Sequence, residues 1–281
     1  MEKILVTTDQ SSNSKSAIRY AAKLAKLRHA ELVILQVYHL LKPFKWSDAA
    51  FEKYADEFKQ KTTAELNAFV KDVCRTADQP AVRYQIALHD NFDTVDGIIE
   101  YSAAHNCKYI CISTRGAGAF KKIFGTNTSK LINRSETPVL CIPSAYRTKP
   151  IKHVLYASDM TDYERELLQV VEFARPVKAT VELLHVFYPY EFLGDKALTE
   201  ASLKKKANYG ISVHNLKRDV TNALLDDIGA AVKASKPSLL VLFTHQARPL
   251  FERLLFPGNA EEYSFYGNIP LLTFNKSPVI N

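Results

Sequence analysis

Cysteine is scarce in this 281-residue chain, and none of it is placed for bridging. Cys74, Cys107, Cys111 and Cys141 are scattered with no C-x-x-C pair, and Cys111 and Cys141 fall in strand-like runs where a thiol acts as a small hydrophobe. A reduced, cytoplasmic protein is the expected setting. No stretch approaches the roughly 18 uninterrupted apolar residues of a membrane span, so no membrane partner is expected. The start, Met1-Glu2-Lys3-Ile4-Leu5-Val6, enters a strand at once and lacks the anatomy of a signal peptide. The eight histidines show no metal-ligand spacing, which leaves no metal site to assign. His185 reads as a packed strand residue.

Catalytic signatures are missing too. There is no G-x-x-x-x-G-K-[ST] and no His-x-Gly-His. The segment after the first strand, Thr8-Asp9-Gln10-Ser11-Ser12, lacks the serine-glycine run of a pyrophosphatase-type loop. Ser158, Asp159 and His245 could converge, but no nucleophile elbow accompanies them. No catalytic residue is assigned, and binding rather than turnover is the expectation. Charge of one sign is not concentrated either. The net +7 comes from dispersed residues, and the densest run, Lys204-Lys205-Lys206, lies on a helix-like stretch where a solvated face is expected. No nucleic-acid partner is expected.

What the chain does hold is a duplication. Ile4–Asp9 reappears as Val154–Asp159, Leu32–Tyr38 as Glu182–Tyr188, Tyr109–Thr114 as Leu239–Thr244, and Thr137–Ile142 as Ile269–Phe274. Four matches in unchanged order define a tandem protein. Its length suits two ordinary domains, expected at 1–146 and 150–281 about a short polar joint. Each half alternates β-rich runs with amphipathic stretches, the pattern of a parallel sheet with helices on both faces. In the first half, Ser12-Asn13-Ser14 is expected to cap a helix over Ala17–Ala25. A long helix from 48 to 76 is expected to bury Phe51, Ala55, Phe58, Leu66, Phe69 and Val73. A third strand is expected at 82–87, a helix at 93–104 and another at 129–134.

The stretch from Ser113 to Thr128 concentrates the chemistry. It follows the apolar run Tyr109–Ile112 and leads into helix, an arrangement that points backbone N–H groups and a helix dipole at an anion. Gly116, Gly118 and Gly125 supply backbone freedom, Thr126 and Thr128 supply hydroxyls, and Arg115, Lys121 and Lys122 supply charge. A strand-to-helix connection whose glycines only solve a turn is the alternative.

This stretch resembles the phosphate loop of the universal stress protein family: glycine, two residues, glycine, nine residues, glycine, then serine or threonine. Ser113 stands at the first glycine, Gly116 at the second, and Gly125-Thr126 at the third glycine and hydroxyl. Eight residues separate Gly116 from Gly125. The resemblance implies the family's fold, adenine-nucleotide alpha hydrolase-like with strand order 3-2-1-4-5. It also implies that Val139–Pro143 pairs with Leu271–Phe274, making a family dimer into an intramolecular pseudo-dimer. A further homodimer stays open.

In such sheets ligands sit beyond the strand carboxyl ends where strand order reverses. The resemblance to the family's ATP-binding members implies that the first half binds ATP or another adenine nucleotide there, with Mg²⁺ accompanying the phosphates. Arg115, Gly116, Gly118, Gly125, Thr126, Asn127 and Thr128 would hold phosphates, while Thr8, Asp9 and Val37 would hold the nucleoside. Asp9 could equally start a turn and cap the next helix. The second half has lost these features. Thr244-His245-Gln246-Ala247-Arg248 replaces the early glycines, and Pro257-Gly258-Asn259-Ala260, followed by Glu261-Glu262, replaces Gly125–Thr128. Two carboxylates at a phosphate site would repel the ligand. The resulting reading is ligand-linked stress signalling or scaffolding, against a nucleotide-free interaction module or a slow ATP hydrolase.

Overall fold

A computed structural model describes residues 1–75, 82–114, 126–188, 200–221, 224–244 and 268–276. Among these, the first half runs β1 (Lys3–Thr7), α1 (Lys15–Arg28), β2 (Glu31–Tyr38), α2 (Asp48–Arg75), β3 (Tyr84–Asp90), α3 (Thr94–Ala104), β4 (Tyr109–Thr114), α4 (Thr126–Arg134) and β5 (Val139–Pro143). The second half repeats the order: β6 (His153–Ser158), α5 (Tyr163–Val177), β7 (Thr180–Phe187), α6 (Glu200–Ala207), β8 (Ile211–Lys217), α7 (Leu224–Ser235), β9 (Leu239–Thr244) and β10 (Leu271–Asn275). The third strand begins at Tyr84 and runs to Asp90, later than the expected 82–87, because it pairs with the whole of β2 from Leu32↔Tyr84 to Tyr38↔Asp90.

All ten strands form one sheet in the order β3-β2-β1-β4-β5-β10-β9-β6-β7-β8. Each half therefore has the order 3-2-1-4-5 with parallel pairs, and the halves join through the antiparallel β5–β10 pair. In that join Leu271 opposes Cys141, Leu272 opposes Leu140 and Thr273 opposes Val139. Leu140 and Leu272 are equivalent positions, so a pseudo-twofold axis passes between them. Covering each half's inner edge with the other leaves no exposed hydrogen-bonding edge at the centre of the molecule.

Alternation along the strands sorts the core into two layers. Ile4 and Val6 face α1, α2, α5 and α6, whereas Leu5 faces α3, α4 and α7. Arg28 ties the halves together on the first of these faces. Its side chain is almost wholly buried, donates to both carboxylate oxygens of Glu2 at 2.8 Å, and donates to the Phe173 carbonyl at 2.9 Å. The guanidinium also lies over the Tyr109 and Phe173 rings, 5.1 and 5.7 Å from their centroids. The hydrogen bond to Glu2 outweighs burial of that carboxyl and, with the Arg28 charge, holds it below the usual carboxylate range.

Two expectations are corrected here. Strand pairing sets Val33 opposite Leu5 and Glu182 opposite Leu155, so Leu32 corresponds to Val181 and the match of Leu32–Tyr38 with Glu182–Tyr188 slips by one. The second half is one residue shorter between its first and second strands. The long helix α2 also does not bury its whole stripe. Thr62, Leu66, Val70 and Val73 are buried, but Phe51, Ala55 and Phe58 are half-buried. A helix of 14 residues rises about 21 Å, and an eight-residue strand spans about 26 Å. The 28 residues of α2 rise about 42 Å, so the sheet is too short to cover all of it.

Candidate functional site

Strand order reverses between β1 and β4 in the first half and between β6 and β9 in the second, which places a crevice at each pair's carboxyl ends. The turn after β1 is built from its own polar side chains. Gln10 takes a left-handed backbone (φ 59°), and its N–H donates to Thr8 Oγ1 at 2.9 Å. The Ser14 hydroxyl donates to the Ser11 carbonyl at 2.8 Å, which leaves Thr8 to donate to Ser14 Oγ at 2.7 Å. Thr8 is buried and its hydroxyl is spent on holding this turn. Asp9 is exposed, and its Oδ1 accepts the Ser11 N–H at 3.0 Å.

Of the two structural roles expected for Asp9, the turn is present and the helix cap is not. Ser12–Ser14 form a single 3-10 turn, and Ser14 occupies the N-cap of α1 without a side-chain cap hydrogen bond. This corrects the expectation that these three residues cap the helix. The Ser14 hydroxyl is drawn to the β1 turn instead.

Val37 lies near the end of β2, half-buried and packed on α3. A Cβ added to Gly97 would meet Val37 Cγ1 at 2.8 Å and Asn91 Cβ at 2.9 Å, so the glycine there permits the close approach. The N-cap of α3 is Asp93, whose carboxylate accepts from Val95 and Asp96 N–H. Ser113, at the end of β4, donates to the Asn13 carbonyl at 2.5 Å and clasps β4 to the turn that follows β1.

Thr126 is the first residue of α4, three residues earlier than the expected helix start. Thr126 and Asn127 are exposed in its first turn, while Thr128 is buried beneath it. Arg115, Gly116, Gly118 and Gly125, with Lys121 and Lys122, lie outside the described residues. The same holds for His245 and for the second-half counterparts from 245 to 262.

The second crevice keeps the turn and changes its surroundings. Met160 takes the left-handed backbone (φ 61°) and donates to Ser158 Oγ at 3.0 Å, and Asp159 Oδ1 accepts the Thr161 N–H at 3.0 Å. These are the counterparts of Gln10, Thr8, Asp9 and Ser11. Asp159 is then claimed by Lys276, whose ammonium lies 2.9 Å from Oδ1 and 2.6 Å from Glu166 Oε1. Lys276 is 7% exposed and Glu166 is 3% exposed, so the pair is sealed from solvent. Burial works to raise the Asp159 carboxyl, but the Thr161 N–H and the Lys276 ammonium together hold it below its ordinary value.

Tyr156 hydrogen-bonds Glu166 Oε2 and lies 2.9 Å from Ser158 Oγ. Burial, reinforced by the neighbouring Glu166 charge, keeps its phenol neutral far above the usual range. The Phe243 ring packs against Tyr156, with centroids 5.5 Å apart. Ser158 and Asp159 are therefore bound into this network.

Equivalent positions follow from the strand pairing and from shared backbone hydrogen bonds. Lys276 N–H donates to the Thr244 carbonyl as Ser144 N–H donates to Thr114. Matching the buried positions of α1 and α5 sets Glu166 at Ala17. The first half thus has Val6, Ala17, Ser113 and Ser144 where the second has Tyr156, Glu166, Phe243 and Lys276. One wall is made of small side chains. The other is filled. Neither Lys276 nor Glu166 was picked out from the sequence, and the signal that could have found them was two opposite charges at positions that are small in the twin.

No candidate membrane span exists among the described helices, and no group of histidine, cysteine or acidic residues among the described residues could hold a metal. The four cysteines are free thiols.

Fold and crevice together define a tandem, mostly parallel α/β protein with a switch-point site in each repeat. The universal stress protein family model matches residues 1–143, about half of the chain, and the chain belongs to that family. Among solved structures, a universal stress protein from Archaeoglobus fulgidus DSM 4304 is 19% identical and aligns over 98% of both chains with a TM-score of 0.69. A functionally unknown protein from Pseudomonas aeruginosa PAO1 is 17% identical, covering 98% of this chain and 92% of its own, with a TM-score of 0.53. Both likenesses concern the fold across the whole tandem arrangement. A universal stress protein from Archaeoglobus fulgidus solved in complex with dAMP matches 50% of this chain and 98% of its own at 17% identity, with a TM-score of 0.36. No curated protein matches the sequence.

Proposed function

We propose that the first repeat, residues 1–146, binds ATP or another adenine nucleotide at the β1–β4 crevice, and that the second, residues 150–281, supports it without a nucleotide of its own. One observation carries this reading. The Asp9 carboxylate is exposed and gives one oxygen to a local turn, whereas its twin Asp159 is neutralised by a buried lysine from the same chain. An internal cation does in the second repeat what a polar ligand would do in the first.

In this reading Asp9 accepts hydrogen bonds from the nucleoside, Val37 flanks the base, and the Thr8 turn holds Asp9 in place. Thr126 and Asn127 meet the phosphates at the opening of α4, with Thr128 buried beneath them; Arg115, Gly116, Gly118 and Gly125 join them, and Mg²⁺ arrives with the phosphates. Family membership supports the nucleotide class and a role in stress response. Ligand-linked signalling or scaffolding in a reducing cytoplasm is the function we assign. Free thiols and the want of any assigned catalytic group fit that role.

Thermal unfolding in the presence of ATP with Mg²⁺, ADP, AMP and cyclic AMP tests the proposal. Binding to the native state alone at about 100 Kd adds roughly 2.7 kcal/mol. A rise in Tm with one of these nucleotides supports the reading. No shift with any of them at millimolar concentration overturns it.

A further inference from the structure

One segment belongs to the first repeat alone. Forty-five residues lie between Tyr38 and Tyr84 but 23 between Phe187 and Ile211, a difference of 22. The excess lies chiefly in α2, whose 28 residues compare with eight in α6. Phe58 packs on Tyr38, the last residue of β2, so residues 48–57 overhang the carboxyl edge of the strands by about 15 Å. The overhang is apolar where it should be wet. Leu41 is 76% exposed, Phe44 is 103%, Trp46 is 39%, Tyr54 is 41%, and the adjoining Phe92 is 84%. Trp46 packs edge-on to Tyr54 and His39 edge-on to Phe92, which draws these side chains into one surface. Ring areas of 150–250 Å² each, scaled by exposure, give on the order of 600 Å². That is most of the roughly 800 Å² each partner contributes to an ordinary stable interface.

Charge selects the occupant. Residues 39–61 hold five lysines and four acids, so the segment suits neither a polyanion nor an anionic lipid surface. Glu52 and Lys59 stand seven positions apart on one flank of the helix, either side of Ala55. Two such helices laid antiparallel about Ala55 set Glu52 against Lys59 of the second copy, and Lys59 against its Glu52. A parallel pairing sets like on like. The small Ala55 at the centre allows close approach, with Phe51 beside it on the half-buried stripe and Phe58 where the helix meets Tyr38 of β2.

We infer that two copies of this chain associate through the overhanging end of α2, antiparallel about Ala55, with the aromatic loop at 40–46 at the rim. This contact is separate from the β5–β10 join and does not depend on the nucleotide site.

Sedimentation velocity of the full chain between 1 and 100 µM is the test, with far-ultraviolet circular dichroism confirming that each variant folds. The wild type is expected to form a dimer. Ala55→Arg, and independently the exposed Tyr54→Glu, should raise the dimer Kd at least about tenfold. Glu52→Lys should weaken it, and adding Lys59→Glu should restore it. A wild type that stays monomeric at 100 µM overturns the inference. So does a dimer indifferent to all of these changes, or binding of the monomer to phosphatidylserine vesicles through the 40–46 loop.

Discussion

The two repeats share a backbone and differ in what stands at four equivalent places. Val6, Ala17, Ser113 and Ser144 leave the β1–β4 crevice walled by small groups, and the only carboxylate on its turn, Asp9, faces solvent. Tyr156, Glu166, Phe243 and Lys276 fill the other crevice with a buried ion pair, a phenol and a ring. The left-handed turn after the first strand is nonetheless the same in both. Duplication preserved the geometry that presents a carboxylate, and in one copy the residue that follows its last strand supplies that carboxylate's counter-ion. A retained turn is therefore not a retained site.

Breaking the filled crevice should have the largest effect. Lys276→Met leaves Asp159 and Glu166 without their cation, and removing one partner of a buried pair costs about 3–5 kcal/mol. Urea unfolding should show that loss, and the double change with Glu166→Leu should recover most of it. The tie between the repeats comes next. Arg28→Met removes charged hydrogen bonds to Glu2 and to the Phe173 carbonyl, and should cost about 2–3 kcal/mol by the same measurement.

Gly97→Ala should cost about 1 kcal/mol. Overpacking against Val37 and Asn91, at about 1–3 kcal/mol, outweighs the ~1 kcal/mol that alanine gains in a helix. Acid should separate the repeats more gently. Asp159 has a lowered carboxyl pKa, so its contribution is complete above the ordinary value of about 3.9 and is lost as pH falls through the lower folded value. Acid unfolding followed by circular dichroism should show a steeper limb below about pH 4 for the wild type than for Lys276→Met.

Much of this arrangement was legible in the residues. Period-two and helical spacings, repeated in one order, placed nine of the first half's elements, and the family resemblance implied the β5–β10 join. The slip at the second strand was not legible. Leu32–Tyr38 and Val181–Phe187 are apolar runs that align almost equally well in either register, and only pairing with β1 and β6 distinguishes them. The stripe of α2 misled for a different reason, since spacing reports which face is apolar but not where the sheet ends. Lys276 was hidden because the residue it neutralises lies 117 positions earlier. Of the residues expected to meet a nucleotide, Thr8 and Asp9 follow β1, Val37 lies near the end of β2, and Thr126 opens α4. The glycines and Arg115 fall outside the described residues.

Isothermal titration of the full chain with the nucleotide that raises its Tm tests the difference between the repeats most directly. One site per chain is predicted, lost in Asp9→Ala and kept in Asp159→Ala. Two sites per chain, or a single site that survives Asp9→Ala and disappears with Asp159→Ala, would contradict it.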